Sequence, residues 1–133
     1  MRTFFFRTMK DKCTAVCRWR TCPERYLAAL RNIEVLRNIE PLGEAPACYL
    51  KIREKAPKTG DLIILYAEDL HDLDALVLAR ERFDGMRKIL ILAEQAGGDD
   101  KKYHLLEPRY ITQAWRNIAE LEAVIHNMAG AVQ

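Results

Sequence analysis

No stretch of the 133-residue chain is long and apolar enough to span a bilayer, and "MRTFFFRTMKDK" has too few apolar residues for the hydrophobic region of a signal peptide. A cytoplasmic protein is expected. Charge of one sign is lacking too: 21 Lys and Arg against 19 Asp and Glu leave a formal net charge of +2, too small to argue for a nucleic-acid partner. The four cysteines, Cys13, Cys17, Cys22 and Cys48, match neither the spacing of a zinc pair nor that of a common iron–sulfur run. They read as reduced thiols packed as small hydrophobes, and no metal is expected. There is no GxGxxG, no Walker loop and no serine elbow, so phosphate cradling and serine catalysis have no sequence support. The expectation is a protein without a cofactor that is not an enzyme.

What is present is a soluble composition, half hydrophobic and 30% charged, in a length that suits one domain burying about two-thirds of its unfolded surface. Strand-like and helix-like segments alternate along it. "CTAVCRW", residues 13 to 19, reads as a first strand, which leaves residues 1–12 as an N-terminal extension and 13–133 as the domain. A helix follows in "TCPERYLAALRNIEVL": Thr21 and Glu24 have capping-box spacing, Pro23 suits a first turn, and Leu27, Leu30, Ile33 and Leu36 share one side. "NIEPL" reads as a short extended piece and "ACYLKIREK" as a second helix.

The continuous apolar run Leu62 to Leu65 then suits a strand covered on both faces. Leu73, Leu76, Val77, Arg80 and Phe83 keep helical spacing up to Gly85, where a helix would stop. "KILILA" is another buried strand, "EQAGGDDKK" a loop and "YHLLEP" a short strand. Trp115, Ile118, Leu121, Ile125 and Met128 mark one face of a last helix. The alternation predicts an α/β three-layer sandwich around a five-stranded parallel sheet. "RNIE" occurs at 31–34 and again at 37–40, a period too short for a solenoid unit, and it reads as coincidence.

The order of elements and several strings resemble the receiver domain of bacterial response regulators, over about residues 13 to 129. "GDLIILY" resembles that family's third strand, and "HDLDALVLAR" its Pro-Asp-Met-Asp-Gly-Leu stretch, with His71 in place of proline and Ala75 in place of glycine. "KILILAE" resembles the fourth strand and "LLEP" the leucine-lysine-proline signature that closes the fifth. The resemblance implies a flavodoxin-like or receiver-like fold, whose fourth helix is shortened or missing because "QAGGDDK" leaves no room for one.

In a phosphorylatable receiver the third strand ends in the aspartate that accepts the phosphoryl group. By resemblance that place falls on Tyr66, or on Ala67 if a one-residue insertion lies earlier. The magnesium-holding acidic pair at the end of the first strand corresponds to the stretch with Cys17, Arg18, Trp19 and Arg20, where oxygen ligands are absent. The hydroxyl residue that ends the fourth strand corresponds to Ala93, and the lysine before the proline to Glu107, a reversal of charge. The family includes such degenerate members, the pseudo-receivers. The resemblance therefore implies a phosphorylation-independent signalling or interaction module whose partner is another protein or a second copy, reached through the sheet edge that the short fourth connection leaves open.

Two other readings stay in view. Arg18, Arg20 and Arg109, expected at the carboxyl ends of strands one and five, could form an anion or nucleotide pocket in a small flavodoxin-like protein. Pairing with Glu68, Asp69, Glu94 and Glu107 at the same edge is the preferred account of them. An active receiver using Glu68 or Asp69 as acceptor is disfavoured, because the strand is expected to end at Tyr66. Asp72 and Asp74 suit the first turn of a helix better than a cation site, and His71, His104 and His126 have no ligand spacing.

Overall fold

The structure, a computed structural model, describes residues 3–7, 23–33, 36, 38–41, 61–95, 101–113 and 118–131. They form an α/β fold with one parallel sheet, compatible with a flavodoxin-like layout. In chain order the elements are β1 (Thr3–Arg7), α1 (Pro23–Leu30), β2 (Glu40–Pro41), β3 (Leu62–Asp69), α2 (Leu70–Leu78), a 3-10 turn (Arg80–Phe83), β4 (Arg87–Gln95), a 3-10 helix (Lys101–Leu106), β5 (Tyr110–Gln113) and α3 (Ile118–Ala131). The strands lie in the order β2-β1-β3-β4-β5, four of them substantial and β2 only two residues long. Every adjacent pair is parallel.

The expected first strand is corrected. Residues 3–7 are no extension but a strand inside the sheet, with Phe4 beside Glu40 on one side and Ile63 on the other. Residues 13–19 lie outside the described residues. The physical reason is that a strand covered on both faces needs no alternation, so "FFF" suffices. Phe4 and Phe6 enter one core cluster and Phe5 the other.

The two clusters lie on opposite faces, because successive side chains of a strand point in opposite directions. On one face Phe4, Phe6, Ile63, Leu65, Leu90 and Leu92 meet Leu73, Leu76 and Val77 of α2, together with Phe83, Met86 and Leu106. On the other, Phe5, Leu62, Ile64, Tyr66, Ile89 and Ile91 meet Tyr26 and Leu30 of α1 and Leu121 and Ile125 of α3. Each large side chain so buried contributes about 1.5–3 kcal/mol. The last helix presents Ile118, Leu121, Ile125 and Met128 to the same cluster, as expected, and Trp115 of the expected face lies outside the described residues.

Helix α1 is shorter than its pattern. After Leu30 three backbone donors reach back three residues: Ile33 N to Leu30 O, Leu36 N to Ile33 O and Ile39 N to Leu36 O, at 3.0, 2.9 and 3.0 Å. Three residues per turn place Ile33, Leu36 and Ile39 in the core together. Ile33 and Ile39, one from each "RNIE" string, therefore share a face, since six residues make two such turns.

The fifth strand is also corrected. Residues 103–106 of the expected "YHLLEP" segment belong to a 3-10 helix, Lys101–Leu106, and the strand begins at Tyr110. Pro108 cannot donate to a ladder, and Glu107 adopts a positive φ of 51°, which breaks an extended run. No fourth α-helix lies between β4 and β5 among the described residues, yet that face is covered. Leu106 is buried there, Tyr103 and Ile111 pack against the cluster, and Leu90 and Leu92 are buried, so the bare apolar face expected on strands four and five is not found.

Candidate functional site

Open parallel sheets bind ligands outside the carboxyl ends of their strands, at the point where the strand order reverses. In the order β2-β1-β3-β4-β5 that point lies between β1 and β3. Backbone register places Arg7 at the end of β1 and Glu68 and Asp69 at the end of β3, with α2 starting at the next residue, Leu70. The pairing of β3 with β4 is irregular at this edge. Ala67 faces Leu92 and Asp69 faces Gln95, two steps along β3 against three along β4, so Ala93 and Glu94 together oppose Glu68. Such bulges re-aim the end of a strand.

Tyr66 does not end β3. It pairs with Arg7 of β1 and Ile91 of β4, three residues short of Asp69, and is fully buried. Its ring lies 6.1 Å from that of Phe5 and 5.5 Å from that of Tyr26, both tilted. A tyrosine occupies this position because the position is core. Burial, with a smaller contribution from Tyr110, also pushes the Tyr26 phenol well above its ordinary pKa. Ala67 is buried on the opposite face with Leu65.

Of the expected pocket of Arg18, Trp19, Tyr66, Ala67, Ala93 and Glu107, the described residues Tyr66 and Ala67 face opposite sides of the sheet and Glu107 lies before β5. Arg18, Trp19 and Arg20 lie outside the described residues, in the connection that leaves β1 at Arg7 and returns at Pro23. Glu107 and Arg109 precede β5 and so lie at the amino edge, where Arg109 N donates to Lys88 O at 2.8 Å. From Lys88 to Gln95, seven residues at about 3.3 Å each put the two edges roughly 20 Å apart. An arginine side chain cannot bridge that distance, which removes Arg109 from any pocket at the carboxyl edge.

The carboxyl end of β5 holds Thr112 and Gln113, and that of β1 holds Phe6 and Arg7, so among the described residues neither strand end offers a lysine or a pair of carboxylates. Sequence reasoning missed Arg7, since it placed β1 elsewhere, and it discounted Asp69. The available signal was the direct passage from "LIILYAED" into a helical pattern, which leaves no loop between strand and helix.

Among the described residues no group of three or more His, Cys, Asp or Glu could hold a metal ion, and all four cysteines lie outside them. His104 is exposed, its ring 4.4 Å from that of Tyr103, and His126 is exposed with Nε2 3.6 Å from Glu122 Oε1. Among the same residues no helix is long and apolar enough to cross a membrane. No family model, curated protein or solved structure matches this chain.

Proposed function

We propose that the protein is a cytoplasmic receiver-like interaction module, not an enzyme, that binds a protein partner or a second copy without phosphorylation. One observation carries this reading: the strand order β2-β1-β3-β4-β5, with α1 and α3 on one face and α2 on the other, comes with a carboxyl edge ending in Arg7 on β1 and Gln113 on β5. A receiver that transfers phosphoryl groups needs oxygen ligands for magnesium at the first of those places and a lysine at the second. An arginine beside the metal site repels a divalent ion, and a neutral amide supplies no counter-charge.

The test is incubation with acetyl phosphate, or with beryllofluoride, in the presence of magnesium. Intact mass and amide-exchange pattern are expected to stay unchanged. Because β3 runs on to Asp69, this residue and Glu68 are where a labile phosphoryl group would appear, and its detection by mass spectrometry would overturn the proposal.

A second reading has one observation in its favour. Arg7 ends β1 at the reversal point, and the connection leaving it contains Lys10, Lys12, Arg18 and Arg20. A small flavodoxin-like protein could hold an anionic ligand there. A ligand binding only the native state stabilises it by about 2.7 kcal/mol at a hundredfold excess over Kd, so phosphate, common nucleotides or cyclic dinucleotides should raise Tm. Arg18→Ala should abolish the shift and Arg109→Ala should leave it intact; no shift with any of these ligands rejects this reading.

A further inference from the structure

We draw no further inference here: the strongest candidate, the exposed leucines Leu78 at the end of α2 and Leu105 in the second 3-10 segment, both toward the amino edge of the sheet, carries nothing because nothing in the structure shows what covers them.

Discussion

The two faces of the sheet share the same strands but are closed in different ways. The face holding Phe6 is apolar, covered by α2, the turn at residues 80–83 and the 3-10 helix at 101–106, each within a few residues of a strand it covers. The face holding Phe5 is covered by α1 and α3, which lie far apart in the chain, and it encloses the ring cluster of Phe5, Tyr66 and Tyr26. One face is thus covered by segments close in sequence to its strands and has no phenol among its buried residues, whereas the other is covered by distant segments and buries the phenols of Tyr26 and Tyr66. Sensitivity to pH and to loss of the last helix should belong to the second face alone.

The largest expected effect tests whether β1 serves both faces. Phe6 is fully buried and meets Phe83 edge-on at 5.2 Å, so Phe6→Ala should lower unfolding free energy by about 3–5 kcal/mol in urea titration. A change below about 1 kcal/mol would place Thr3–Arg7 outside the sheet and undo the comparison.

Next comes the tie between the sheet and the last helix. Arg87 Nη1 donates to Met128 O at 2.9 Å, a partly buried bond that joins the start of β4 to α3. Arg87→Ala should cost about 1–3 kcal/mol and speed amide exchange in residues 118–131, while exchange in α2 stays unchanged. Equal loss of protection in both helices would show that the faces open as one unit.

A smaller effect separates the faces by pH. The unfolded Tyr26 phenol loses its proton near pH 10 and the folded one holds it to higher pH, so the neutral form is the one that folding favours. Its contribution to stability is complete below about pH 10 and falls by up to about 1.4 kcal/mol for each pH unit above it. Tyr26→Phe should therefore flatten the decline of stability between about pH 10 and 11 relative to the parent chain. An unchanged slope would mean that the phenol is as solvated in the folded protein as in the unfolded one.

The smallest effect lies at the end of β3. Asp69 is the last residue of β3, and Asp69→Asn, which keeps the size of the side chain, should change stability by no more than about 0.5 kcal/mol in the same titration. A loss of several kcal/mol would reveal a structural role at the carboxyl edge and weaken its reading as a surface for binding.

These contrasts also show which parts of the fold were legible in the sequence. The runs Leu62 to Leu65 and Ile89 to Ala93 stand out because interior parallel strands are largely apolar, and they lie in β3 and β4. Leu73, Leu76 and Val77, and later Leu121 and Ile125, keep the period of a helix and are buried as that period requires. Hidden was β1, since three phenylalanines between Thr3 and Arg7 make a weak signal on their own, while "CTAVCRW" is a longer strand-like run. The end of β3 was hidden as well, because Tyr66 resembles a boundary residue until its neighbours Phe5 and Tyr26 are seen across the sheet and helix. Glu107 and Arg109 were assigned to the wrong edge for a single reason: the strand starts after Pro108 and not before it.

The position of β1 also bears on how the chain comes off the ribosome. Thr3 and Leu62 are paired in the finished sheet, and the earlier neighbour β2 contributes only two residues. At about 5–20 residues per second, roughly 3 to 12 s of synthesis separate the phenylalanine segment from its main ladder partner. During that interval three adjacent aromatic side chains lack the strand that will flank them, in a nascent chain that already contains both "RNIE" strings. For that interval "TFFFR" is open to capture by a chaperone, or by another unfinished copy, before the sheet exists.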